Sequence, residues 1–265
     1  MDGAEHPHTG TIERDDRTEG DAVTHLVLVL GCHRSGTSLI TKSMECLGVS
    51  LGKNADWSGP DNVSGFWENK SVLWMNENLL WRQHCQWDDL KLWAPLVENL
   101  SFIRGDIAAT VRNEIAGATL FGIKEPRLCR LLPYWRPIFK QVADKVSVVY
   151  AVRHPMSVAK SLNKRNSIPI DHGLALWLEY TRRARADADP AWPSVTVRYE
   201  CMMVTPVEEI ARISKALKLP YDHDAAVRFE TEFCRDDLWH ETAAGEALPE
   251  DVHKEWELVG ELALT

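Results

Sequence analysis

Residues 25–47, HLVLVLGCHRSGTSLITKSMECL, decide the fold. The run Leu26–Leu30 is short, continuously apolar and rich in branched residues, the pattern of a strand buried on both faces. Gly31 and Gly36 bracket a polar turn. Beyond it Leu39, Ile40, Met44 and Leu47 recur at helical spacing as far as Gly48, a stop signal. A strand, a glycine-bearing loop and a helix N-terminus form a phosphate cradle. The loop amides and the first unpaired N–H groups of the helix converge on one anion, and the helix dipole favours it. The chain is therefore expected to bind a phosphorylated small molecule.

The loop narrows the ligand. In the frame Gly31-Cys32-His33-Arg34-Ser35-Gly36-Thr37-Ser38 the glycine spacing matches the nucleoside-triphosphate loop GxxxxGK[ST], but Thr37 stands where the lysine belongs. That lysine serves the β- and γ-phosphates, so its loss argues against an ordinary kinase or ATPase. The cation lies inside the loop instead, as Arg34, flanked by His33. This suits a ligand with one phosphate at the cradle and a further anionic group beside it. Short glycine patterns recur by chance, so other segments have to support the assignment.

Two segments do. In residues 145–163, KVSVVYAVRHPMSVAKSLN, the run Val146–Val152 reads as a second buried strand capped by Arg153, and Pro155 suits the first turn of a following helix. Ser161 falls about two turns into that helix. An arginine at the C-terminal end of a parallel strand sits where such folds bind ligands, and it can grip a phosphate with two hydrogen bonds. In the other segment, Thr119–Ile123 reads as a short strand ending at Lys124-Glu125-Pro126-Arg127.

Together these residues resemble the sulfotransferases that use 3′-phosphoadenosine 5′-phosphosulfate (PAPS). The first loop resembles that family's 5′-phosphosulfate loop in the Arg-Ser-Gly-Thr form of its tyrosylprotein and bacterial carbohydrate branches. Arg153 and Ser161 match the family's 3′-phosphate pair in identity and separation, and Lys124-Glu125-Pro126-Arg127 is similar to its Lys-Asp-Pro-Arg element, with glutamate for the commoner aspartate. The resemblance covers roughly residues 25 to 200. The C-terminal glycine-rich phosphate loop of the cytosolic steroid and phenol enzymes is absent.

The resemblance implies a P-loop NTPase-like α/β three-layer sandwich, with a parallel central sheet flanked by helices. It implies PAPS as sulfuryl donor, no metal, and a cofactor set of Cys32, His33, Arg34, Ser35, Gly36, Thr37, Ser38, Arg153, Ser161 and Tyr199. The reaction would be in-line displacement by an acceptor hydroxyl, ahead of an amine, with a carboxylate as general base. Arg34 and Lys124 would stabilise charge on the transferring group. For the base, Glu68 within Ser64-Gly65-Phe66-Trp67-Glu68-Asn69 is favoured, since this element is similar to the Gly-aromatic-aromatic-Glu segment of bacterial sulfotransferases. His33 is the rival base; His84 and Glu125 are weaker ones. The competing reading of Glu68 is an acidic residue complementing a helix N-terminus. Two other function classes remain: a P-loop nucleotide kinase or hydrolase, and a non-catalytic phosphoadenosine-binding protein.

Length and composition fit one large α/β domain, which the resemblance makes a single sulfotransferase domain over residues 25–265, behind a charged, disordered acidic tail at 1–24 where His6 and His8 look incidental. The polar N-terminus without an apolar signal core, and the lack of any run near the roughly 20 residues that span a bilayer, point to a cytoplasmic, bacterial enzyme. The six cysteines show no zinc or redox spacing and read as free thiols, with Cys32 a passive loop position. A net charge of −9 argues against nucleic acid as partner, and also against a highly sulfated polymer as acceptor. The expected partner is a small-molecule, glycan or lipid hydroxyl acceptor. Arg182-Arg183-Ala184-Arg185 reads as a solvated helix face.

Helical patterns cover 69–86, 106–116, 126–142, 155–166, 171–188 and 206–218, a further strand covers Val195–Tyr199, and residues 48–66 read as loop. Beyond Leu219 no pattern is clear. Of the eleven tryptophans, Trp67, Trp74 and Trp81 recur every seven residues and so share a helical face. Most tryptophans, Trp87 and Trp93 included, are expected in the core, with one or two lining an acceptor cleft.

Overall fold

The computed structural model describes residues 24–59, 65–91, 104–234 and 245–264. The acidic tail, Ser64 and Trp93 lie outside them. The first apolar run forms β1, His25–Leu30, with every residue buried. It is central in a four-stranded parallel sheet of order β2-β1-β3-β4, where β2 is Leu120–Lys124, β3 Lys145–Val152 and β4 Ser194–Arg198. The period of two divides the strand side chains between two cores. Leu26, Leu28, Leu30, Ile123 and Val148 face one layer of helices; Val27, Val29, Val149, Ala151 and Val197 face the other.

The helices form close to the expected spans. They are α1 Thr37–Ser43, continued by a 3₁₀ turn Met44–Leu47 that ends at left-handed Gly48, α2 Lys70–Arg82, α3 Arg104–Ile115, α4 Leu128–Val142, α5 Pro155–Asn166, α6 Ile170–Asp187 and α8 Pro206–Leu217. Between β4 and α8 lies a short helix, α7 Tyr199–Val204, so Tyr199 opens a helix and does not end the strand. Beyond Leu219 two more helices form, α9 His223–Phe233 and α10 Glu250–Leu262. Part of the expected 48–66 loop pairs with the sheet: Ser50 N–H donates to Leu120 O (3.1 Å), and Gly122 N–H donates to Ser50 O (2.8 Å). Gly122 has no side chain because a Cβ there would lie 2.9 Å from both Val49 and Leu51.

Two surface readings change. Trp74 and Trp81 do share a face of α2, but it is the outer one, and they are 65% and 74% exposed. The buried stripe is Val72, Met75, Leu79 and Leu80, whose 3-4 spacing follows the helix more closely than a seven-residue repeat of one residue type. Trp135 and Trp177 are the fully buried tryptophans among the described residues. The arginine cluster on α6 is not merely solvated: Arg182 (3.1 Å) and Arg185 both pair with buried Glu255 and fasten α10 to α6. No helix among the described residues is long and apolar enough to cross a membrane.

Candidate active site

Parallel pairing brings the proposed site residues to one edge. The register sets Val29 beside Lys124, Leu30 beside Tyr150 and Val152 beside Arg198. The loop after β1, Lys124, Arg153 and Tyr199 therefore leave the sheet at the same C-terminal edge. Because β1 lies between β2 and β3, the strand order reverses beside it, which opens the crevice where such sheets bind ligands.

The loop is built for close approach. A Cβ on Gly31 would collide with the Ala151 carbonyl and lie 2.9 Å from Thr37 Cγ2. Gly36 is left-handed, with φ 78°, and a Cβ there would lie 3.0 Å from Tyr199 Cγ. α1 begins with no side-chain cap and no acidic residue in its first turn. Ser35 is buried, and its Oγ has no hydrogen-bond partner. Uncapped amides and a sealed orphan hydroxyl are what an oxyanion in this loop would satisfy.

One flank gathers Arg34, Arg153, Ser161 and Tyr199. Arg34, itself left-handed at φ 69°, turns its side chain to α5, where Nε donates to Ser161 Oγ (2.9 Å). Arg153 Nη1 donates to the Arg34 carbonyl (3.3 Å), and its guanidinium lies 4.5 Å from the centroid of the Tyr199 ring. Trp177 Nε1 donates to the Arg153 carbonyl (3.0 Å) and fixes the strand end. Arg34 thus sits with the pair expected at the 3′-phosphate.

On the other flank stand Lys124 and Glu68. Lys124 is 2% exposed, and its ammonium donates to Glu68 Oε1 (2.8 Å), Phe66 O (2.5 Å) and Ser38 Oγ (3.2 Å). Ser38 in turn donates to Phe66 O (3.0 Å), and Trp57 Nε1 to Glu68 O (2.7 Å). These contacts tie the Gly65–Asn69 segment to the phosphate loop and to the end of β2. Glu68 does not serve the helix terminus; Asn69 caps α2, its Oδ1 accepting from Val72 N–H at 3.1 Å. Glu114, reached by neither motif nor spacing, steadies that turn by accepting from Asn54 (2.8 Å), Asn69 (3.0 Å) and Ser71 (2.7 Å).

Behind this pair Glu125 is fully buried. It accepts from Asn76 Nδ2 (2.5 Å) and pairs with Arg127, which also holds Glu77. Asn76 Oδ1 accepts from Trp135 Nε1 (2.7 Å). Burial raises the pKa of the Glu125 carboxyl; Arg127 opposes this, and the nearby Glu68 charge adds to it. Among the described residues its carboxylate is held by Asn76 on α2 and by Arg127 at the start of α4, so Glu125 ties these elements to the end of β2 and serves as scaffold.

His33 is 8% exposed, and its ring packs against Trp87 (4.4 Å between centroids) and Tyr180 (5.6 Å). Its Nε2 is sealed without a partner. Burial, then the nearby cations Arg127, Arg165, Lys124 and Arg34, hold its pKa well below 6.5, so the ring is neutral. Cys32 is buried and its pKa is pushed up to about 12 by burial, which leaves an inert thiol. His84 is exposed, on the turn after α2. No group of three or more His, Cys, Asp or Glu side chains among the described residues is arranged to hold a metal ion.

Sheet order, glycine cradle and flanking helices define a P-loop-like α/β fold, and among solved structures it is a sulfotransferase fold. The chain is similar to the sulfotransferase domain from the Synechococcus PCC 7002 olefin synthase, with 15% identity and a TM-score of 0.51 over 92% of this chain and 98% of that one. It is likewise similar to the sulfotransferase domain from the curacin biosynthetic pathway, with 15% identity and a TM-score of 0.53 over 91% and 99% of the two chains. No protein-family model and no curated protein sequence matches the chain.

Proposed function

We propose that this protein is a PAPS-dependent sulfotransferase that moves the sulfuryl group to an acceptor hydroxyl by in-line displacement. The observation that carries this reading is the pairing of Glu68 with Lys124 at 2.8 Å beside the phosphate loop, with Arg153, Ser161 and Tyr199 on the opposite flank. The residues fit the donor: the orphan Ser35 hydroxyl, the uncapped start of α1 and the glycine cradle suit a 5′-phosphosulfate. Arg153, Ser161 and Arg34 suit a 3′-phosphate. PAPS, when bound, supplies the activated sulfuryl group.

The chain's own residues do the rest. Glu68 takes the acceptor's proton, because it is a buried carboxylate held by Lys124, which also reaches Ser38 at the end of the loop. Lys124, fixed by three acceptors, presents positive charge where the transferring oxygens gain negative charge. His33 is the poorer base, since its free nitrogen is sealed against Trp87 and Tyr180. Thr37 in place of the P-loop lysine speaks against a kinase or hydrolase. We further take residues 25–265 as one domain of a cytoplasmic bacterial enzyme, a reading that rests on composition and on the scattered free cysteines.

The test is incubation with labelled PAPS and a panel of hydroxylated glycans, lipids and aromatic metabolites, read by mass spectrometry for products heavier by one SO₃. Magnesium-dependent ATP turnover would overturn the proposal in favour of a kinase or hydrolase. Tight binding of the desulfated donor without transfer to any acceptor would favour a silent binding protein.

A further inference from the structure

Arg130, in the first turn of α4, is a buried cation that no carboxylate answers among the described residues. It is 4% exposed. Its Nη1 donates to the Trp87 carbonyl (3.2 Å), and its guanidinium lies 5.4 Å from the centroid of Tyr180. Nε and Nη2 have no hydrogen-bond partner. Beside it His33 holds a second buried orphan, Nε2, against the Trp87 ring. Tyr180 OH donates to the same Trp87 carbonyl (2.7 Å), so Arg130, Tyr180, Trp87 and His33 form one contiguous group starting in the phosphate loop. Arg165, half-buried, stands 5.8 Å from the Trp87 ring centroid at the rim. Arg127 is within electrostatic reach of His33, but Glu125 and Glu77 already occupy it.

Leaving a guanidinium buried and half-bonded is costly, and its planar fork fits an oxyanion with two parallel hydrogen bonds. The Tyr180 ring beside it, and the Trp87 ring against His33 in the same group, suit an apolar or aromatic body attached to that oxyanion. We propose that the acceptor is an anionic hydroxyl compound, a hydroxy acid with an apolar or aromatic body, whose carboxylate is anchored by Arg130 with Arg165 at the rim. This rests on reading the Glu68–Lys124 pair as a sulfuryl-transfer site. The other anion that could reach this cluster is the donor's own sulfonate.

The probe is benzoate, with benzamide as its neutral counterpart, titrated calorimetrically into protein saturated with 3′,5′-phosphoadenosine. Benzoate should bind saturably and benzamide should not. Arg130→Gln should weaken benzoate by about tenfold or more, the usual worth of a charge-assisted contact, and leave PAPS and phosphoadenosine affinities unchanged. Equal binding of benzoate and benzamide, or full benzoate affinity in R130Q, would overturn the proposal. Loss of PAPS affinity in R130Q with phosphoadenosine affinity retained would give the cluster to the donor sulfonate, and overturn it too. Should R130Q fail to fold, Arg165→Gln at the rim carries the comparison, and unchanged benzoate affinity there refutes the anchor. Failure of phosphoadenosine to bind would strike the sulfotransferase reading and with it the role of acceptor, while the benzoate–benzamide contrast, measured on the free protein, would still decide the anion anchor at Arg130.

Discussion

Replacing Gly36 by alanine tests whether the phosphate loop and Tyr199 are locked together. Two separate costs are expected. The backbone there is left-handed, with φ 78° and ψ 14°, which costs a residue bearing a Cβ about 1–2 kcal/mol. The new methyl would also collide with Cδ2 of the Tyr199 ring and sit 3.0 Å from its Cγ and 3.1 Å from its Cβ, an overpacking worth about 1–3 kcal/mol. Urea unfolding of Gly36→Ala should therefore show a loss of about 2–5 kcal/mol with an unchanged m-value. The two terms separate in a double-mutant cycle. In a Tyr199→Ala background the ring contacts are gone and only the backbone term and the close Cβ approach at 3.1 Å remain, so the cost of Gly36→Ala should shrink by up to about 1–3 kcal/mol. Since Tyr199 stacks on Arg153 at 4.5 Å, a displaced ring should also weaken 3′,5′-phosphoadenosine binding. An equal penalty in both backgrounds would show that Tyr199 does not close on the loop, and the cofactor flank described above would be wrong.

Arg153→Ala should weaken 3′,5′-phosphoadenosine far more than adenosine 5′-monophosphate, by about 1.5–3 kcal/mol for a lost charge-assisted contact, and equal losses in calorimetry would withdraw its assignment to the 3′-phosphate. Glu68→Gln should lower turnover by roughly 10²–10⁴-fold with donor affinity nearly intact, and a variant that keeps most of its turnover at saturating acceptor would remove Glu68 as base. Stability should fall with acidification through His25, whose Nε2 meets Ser147 Oγ at 2.9 Å and whose pKa burial lowers from 6.5 to about 4. The unfolded chain takes that proton first, so the contribution is complete above pH 6.5 and is lost as pH falls toward about 4. It amounts to at most about 3 kcal/mol, less what solvent at the ring edge screens. His25→Gln should flatten the urea-midpoint profile across that window, and an unchanged slope would refute the assignment.

The layout was legible because its signals are contiguous. The buried strand at His25–Leu30, the glycine turn and the helix ending at Gly48 each depend on residues within a few positions, where backbone sterics and apolar periodicity act. For the same reason Pro155 opens its helix where expected. Tyr199 fell on the wrong side of a boundary, because β4 ends where its neighbour β3 ends, at the Val152–Arg198 pairing, and composition does not show that limit. The tryptophan stripe misled because seven-residue spacing defines a common face without saying which face is inside.

Partners are a different matter. Arg34 meets Ser161 across 127 positions and Lys124 meets Glu68 across 56, so no local pattern could pair them. Nor could any spacing show that Arg130 is buried with no carboxylate partner among the described residues, that Glu125 is spent on Asn76 and Arg127, or that Glu255 clamps Arg182 and Arg185. The amino-acid sequence alone determined an α/β fold with a glycine loop between strand and helix and the residue types of its candidate site, since strands, caps and glycine turns are local consequences of side-chain shape. Which side chains are desolvated, and which neutralise one another, was decided by the tertiary structure alone, because burial and charge pairing are properties of distances between remote parts of the chain.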